Sequence, residues 1–226
     1  IDASIKCGSG SGGFTSDCYY TCTSFDVLND GLRGVVTNMQ AQVRQTLFYS
    51  FAARAPITSG VIRAANATCT LTDSTIVNIP SSVLNTGISN ADLVVITTLR
   101  PIIDDRILMH NAECQSVASS GRPLIAVLNV GGKIVGRSAR EQYLLYLHEM
   151  LHILGFKETK YPQYRDDNGN LRMGVLNTQL QTGTVNGKPF SVTIRKLTNL
   201  PTLLREAREY FNCPTMDGVE LEETNT

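Results

Sequence analysis

Three residues in the stretch YLLYLHEMLHILGF, residues 143–156, have the types and spacing of a hydrolytic metal site. His148 and His152 stand four apart, so on a helix they project from one face, one above the other. Two imidazoles at that spacing can hold one zinc ion at about 2.0–2.1 Å each. Glu149 lies one residue further round the helix, badly placed to share the metal but able to reach a water beside it. Zinc supplies Lewis acidity and brings the pKa of a water to about 7. Glu149 is then the candidate general base, taking the water's proton during attack on a peptide carbonyl and passing it to the leaving amine.

The elements around these residues must hold them in place. Ser138 is a good N-cap, and Glu141 three residues later completes a capping box. Gly155 suits the left-handed position that closes a helix. Upstream, Leu32, Val35, Val36, Met39, Val43, Leu47 and Phe51 recur at helical spacing, with Pro56 as the stop. This stripe predicts a core face. Between the two helices lie three strand candidates: 60–72, which is weakly β-leaning, then ADLVVITTL at 91–99 and PLIAVLNV at 123–130. Apolar runs of this kind predict strands covered on both faces. The order of elements predicts an α+β fold, a twisted sheet with long helices packed on it.

After Phe156 the texture changes. DDNGN (166–170) and TVNGKPF (184–190) carry Asn-Gly steps typical of tight turns. DDNGN lacks the closing Glu of a calcium loop and is expected to be a turn. A short helix is expected at about 202–211, after Pro201, and the tail MDGVELEETNT is acidic.

Composition excludes several classes. The 226 residues suffice for one large domain or two small ones. Net charge is zero, which gives no electrostatic reason to expect nucleic acid or an acidic membrane surface. Apolar stretches fall short of the roughly 18 residues of a membrane span. The N-terminal IDASIKCGSGSGG has no basic segment followed by an apolar block. The expectation is a cytosolic chain or one whose leader has been removed. Six dispersed cysteines (Cys7, Cys18, Cys22, Cys69, Cys114, Cys213) without a CxxC pair favour the second, as disulfides in an oxidising compartment. Buried free thiols are the alternative. Asn66-Ala-Thr68 is an N-glycosylation acceptor triplet.

A third zinc ligand is not obvious. The metzincin pattern HExxHxxGxxH ends on a third His. Here Gly155 is present, but Glu158 occupies the third-His position. Glu158 could ligate, Glu206 or Glu209 on the later helix could ligate, or the third ligand could lie outside this chain. The third histidine of the chain, His110, precedes Cys114 and is expected not to ligate.

HEMLHILGF resembles the active-site helix of the leishmanolysin family, the surface metzincins. The similarity extends to TCTSFDVL, NADLVVITTLR, AECQSVASSGRPLIAVLNV and LLREAREYFNCPTMDGVELE. The resemblance implies a zinc endopeptidase at the cell surface or outside the cell. It implies a metzincin-like zincin lobe at 1–156 and an inserted subdomain at 157–226. The third His and the Met-turn would lie beyond Thr226, supplied by a second polypeptide segment. Glu158 would then be an ordinary loop residue, and Met216 would not be the Met-turn. The resemblance also pairs Cys69 with Cys114, pairs Cys22 with Cys7 or Cys18, of which Cys7 is preferred, and puts the partner of Cys213 beyond Thr226. By analogy with metzincins, strand 123–130 is a candidate edge for pairing with an extended substrate. The rival reading is a non-catalytic structural or adhesive protein that keeps the fold, and the sequence shows no membrane anchor.

Overall fold

The computed structural model describes residues 6–7, 20–21, 29–50, 60–100, 102, 104 and 106–221. Two compact units divide the chain, Ile1–Gly155 and Phe156–Thr226.

The first unit starts with β1 (Lys6–Cys7) and β2 (Tyr20–Thr21), paired antiparallel. Helix α1 (Asp30–Ser50) follows. Its predicted apolar stripe is the buried face: Leu32, Val36, Met39 and Val43 are all inside. Asn29 caps it, its Oδ1 accepting from the Leu32 amide at 2.8 Å. Phe51 and Pro56 lie outside the described residues, as do Cys18 and Cys22 and hence the expected Cys7–Cys22 pairing. Short strands β3 (Val61–Ile62), β4 (Thr68–Thr70), β5 (Ile76–Asn78) and β6 (Ile88–Ser89) form two small antiparallel pairs, β3 with β6 and β4 with β5. The weak 60–72 signal thus resolves into β3 and β4 separated by a bend.

The main sheet is made by β7 (Val94–Leu99), β8 (Met109–Ser116) and β9 (Pro123–Val130). Their spatial order is β7-β9-β8, with β7 parallel and β8 antiparallel to β9. Strand 123–130 is therefore the centre of this sheet, not an edge, which corrects the expectation drawn from the sequence. The physical reason is burial on both faces. Ala126, Leu128 and Val130 join α1 and helix α2 (Ala139–Ile153) in one core. Ile125 and Val127 join Ile62, Leu71, Val77 and Val83 in a second core on the opposite face. A strand with no polar face suits the middle, whereas edges carry polar residues that discourage further pairing. Among the described residues β8 is an edge, and its sequence MHNAECQS is polar enough to fit.

Cys69 of β4 and Cys114 of β8 form a disulfide, with Cα atoms 5.4 Å apart. The Cys69–Cys114 pairing that the resemblance implies is thus present. Cys213 is the free cysteine among the described residues. No helix among them is long and apolar enough to cross a membrane.

In the second unit, β10 (Leu176–Val185) and β11 (Lys188–Leu197) pair along ten register positions. They turn through Asn186 and Gly187, with φ of 53° and 76°, the two left-handed positions an Asn-Gly turn supplies. Helix α3 (Pro201–Tyr210) begins on its proline, and β12 (Val219–Leu221) pairs with the base of β11. DDNGN is a turn, as expected: Asp166 Oδ1 accepts from the amides of Asn168 at 2.9 Å and Asn170 at 2.8 Å. Tyr161, Val175 and Leu197 form this unit's core, with Tyr164 packed against it.

Candidate metal and catalytic site

Helix α2 carries the candidate residues, and its ends are fixed locally. The Ser138 hydroxyl accepts from the Glu141 amide at 3.3 Å and donates to Glu141 Oε2 at 2.7 Å, and the Ser138 amide donates to the same oxygen at 2.9 Å. These bonds, the hydroxyl's first, hold the Glu141 carboxyl below the usual glutamate range. At the other end Gly155 has φ of 107°, and its amide donates to the His152 carbonyl at 3.1 Å. A side chain there would strain the stop. Tyr146, Met150 and Ile153 anchor the helix in the core. Two hydroxyl pairs tie it sideways, Tyr143 with Thr46 of α1 at 3.0 Å and Tyr146 with Thr97 of β7 at 3.1 Å.

Away from that anchored face, His148 and His152 converge. Their Nε2 atoms are 2.9 Å apart and their rings nearly perpendicular, at 87°. Two nitrogens bound at about 2.0–2.1 Å to one tetrahedral zinc stand about 3.3 Å apart. The pair needs to open by only a few tenths of an ångström, so the donor set and its geometry fit zinc on this side. Among the described residues no third His, Cys, Asp or Glu completes a metal cluster. Glu158 accepts from Arg195 Nη1 at 2.9 Å, and Glu206 pairs with Arg205 at 2.6 Å. Glu209 lies further along the same helix α3.

Glu149 is half-buried and has a partner that the sequence reading missed. Asn111 of β8 donates from Nδ2 to Glu149 Oε2 at 2.5 Å. No sequence signal points to Asn111, because β8 lacks the alternating or apolar pattern that marks a strand. Its neighbour His110 points to the other face, as successive strand residues do. His110 is buried. Asn129 Oδ1 accepts from the Arg100 amide at 2.9 Å, which directs Asn129 Nδ2 to donate to His110 Nε2 at 3.1 Å. Asp73 Oδ2 lies 3.7 Å from the same nitrogen. None of these partners is His148 or His152.

A cavity of about 660 Å³ opens beside His148 and Glu149. Ile107, Leu108, Leu144 and Leu145 make its walls largely apolar, and Arg106, Arg137 and Glu141 also line it. Arg106 is paired with Asp104 at 2.7 Å. The site thus combines two converging imidazoles, a fixed carboxylate, an apolar cavity and a neighbouring edge strand.

The model of the leishmanolysin peptidase family matches residues 2–226 of this chain. The chain belongs to the leishmanolysin family. The family is one of metallopeptidases. Relatives agree at modest identity. A leishmanolysin-like peptidase of Drosophila melanogaster is 27% identical over 165 residues, covering 61% of this chain and 24% of that protein. Leishmanolysin of Leishmania major is 29% identical over 146 residues, covering 64% and 21%. A leishmanolysin homolog of Crithidia fasciculata is 30% identical over 148 residues, covering 64% and 20%. The chain spans about a quarter or less of the length of these curated relatives.

Proposed function

We propose that this chain carries the metal-binding helix and the general base of a zinc endopeptidase. The observation that carries the reading is the convergence of His148 and His152 on a helix fixed at both ends, with Glu149 beside them. His148 and His152 would hold the zinc, and bound zinc supplies Lewis acidity toward water and a substrate carbonyl. Glu149 takes a proton from the attacking water and delivers it to the leaving nitrogen as the C–N bond breaks. The open edge of β8, rather than β9, is where an extended substrate backbone would pair. The apolar cavity beside His148 and Glu149 would take a substrate side chain.

The third ligand is a histidine beyond Thr226, on a further segment that also brings the Met-turn. Supporting this, Glu158 is engaged with Arg195 and Glu206 with Arg205. The free Cys213 fits a half-cystine whose partner lies on that segment. Residues 1–156 act as the catalytic lobe and 157–226 as an inserted subdomain, a reading supported by the division after Gly155. The Cys69–Cys114 disulfide supports a working place outside the cell or at its surface.

The test is zinc per chain in natively purified protein, with intact mass of whatever copurifies, beside the Glu149→Ala variant. About one zinc per chain with a His-bearing second segment is expected. Glu149→Ala should keep that zinc and lose hydrolysis. Normal turnover by the variant would sink the mechanism, and zinc bound by this chain alone would return Glu158 to the ligand set.

A further inference from the structure

We propose that Asn111 is a positioning residue for Glu149, holding the carboxylate in its working orientation from the edge strand. The inference rests on the reading of Glu149 as general base.

The identity of the contacting atoms follows from chemistry. An ionised carboxylate only accepts hydrogen bonds, so the Asn111 amide must turn its NH₂ toward Glu149. A neutral donor on a charged acceptor is among the stronger hydrogen bonds, and here the two side chains meet directly. Among the described residues Asn111 engages Oε2, and Oε1 would be the oxygen turned to the reacting water.

The mounting of the two residues explains why the contact would matter. Glu149 reaches out from α2 on a side chain with three rotatable bonds, and the helix backbone restricts only the first of them. Asn111 has a shorter side chain on a strand that is itself fixed. Its Cα is in register with Leu128 of the buried central strand, and the Cys69–Cys114 bridge clamps the same strand further along. A pre-placed base avoids the cost of ordering it at each turnover.

A purely structural role is the weaker account. Helix α2 is already held by Tyr146, Met150 and Ile153 in the core and by the Tyr143–Thr46 and Tyr146–Thr97 pairs. Glu149 and Asn111 are only half-buried, and the bond between them joins two side chains at the cleft rather than two backbones.

The experiment uses zinc-loaded protein expressed from its full reading frame. Asn111→Ala should lower kcat by about 10- to 100-fold, the range for losing a hydrogen bond to a charged group. KM should change by less than about threefold, because the Asn111 side chain meets the Glu149 carboxylate, while any pairing of β8 with substrate runs through its backbone, which the substitution keeps. Zinc content and melting midpoint should stay at wild-type values. Asn111→Asp keeps the shape, removes the donor and adds a like charge, so its kcat should be at least as low. Wild-type kcat in both variants, or a kcat loss that tracks loss of zinc or of the fold, would overturn the positioning role. Turnover by Glu149→Ala would instead overturn the base reading beneath it. A readout independent of turnover is the Asn111 side-chain amide resonance, which should move in Glu149→Ala, and a resonance unmoved by that substitution refutes the contact.

Discussion

Removing the Cys69–Cys114 bridge by the double substitution Cys69→Ala/Cys114→Ala tests how far the first unit depends on a long-range tie. The bridge joins positions 45 apart and spans β4 and the edge strand β8. Cross-linking a loop of that length removes about 13 cal/mol/K from the unfolded chain, or about 4 kcal/mol at 25 °C. Opposing this, the tie closes a loop that folding partly closes anyway through β4, β5 and β8, so about 2–4 kcal/mol is the expected measured loss. For a unit of this size each kcal/mol moves the melting midpoint by about 3 °C, giving a drop of roughly 10 °C. The assay is thermal and urea unfolding of wild type and variant under non-oxidising handling, comparing midpoints and slopes. An unchanged urea slope with a shifted midpoint places the effect in stability rather than in unfolded-state compactness. A midpoint within about 2 °C of wild type would refute the loop-closure reasoning. It would mean that the second hydrophobic core already fixes β4 against β8 without the cross-link.

Ser138→Ala should lower the melting midpoint by about 3 °C, since it removes the hydroxyl from the capping box while leaving α2 its core face. An unchanged midpoint would show that the cap is redundant. The Tyr164 phenol is pushed up to about 12, chiefly by burial and then by Tyr161. Its ionisation, followed by near-ultraviolet absorbance, should therefore lag the exposed tyrosines. The neutral form favours the folded second unit, so that contribution is intact below the unfolded value near 10 and is lost as pH rises through about 12. Titration of all tyrosines together near 10 would contradict the buried placement. Asn66 lies exposed in the bend before β4, and protein secreted from a glycosylating host should lose a glycan mass in Asn66→Gln. Identical masses would show that the triplet is not used.

Much of the site was legible because it is local. The four-residue spacing of His148 and His152, the Ser138–Glu141 cap and the Gly155 stop each involve residues within about one helical turn. Their physics is therefore set by neighbours in the chain. The same holds for the Asn186–Gly187 turn, whose left-handed dihedrals are those these residues tolerate best. The apolar stripe of α1 was legible too, because burial against anything produces the same period.

Strand β8 and all that depends on it were not legible. MHNAECQS shows no apolar alternation, and the run PLIAVLNV shows only that it is buried on both faces, not which strands flank it. The order β7-β9-β8 puts the polar strand at the edge and the apolar one at the centre. That order alone brings Asn111 within hydrogen-bond reach of Glu149, 38 residues away. The sequence by itself determined the helix, its two ends and the spacing that sets His148, Glu149 and His152 beside one another. The tertiary structure decided which neighbour meets the Glu149 carboxylate, because that contact depends on strand pairing and register, which no local interaction encodes.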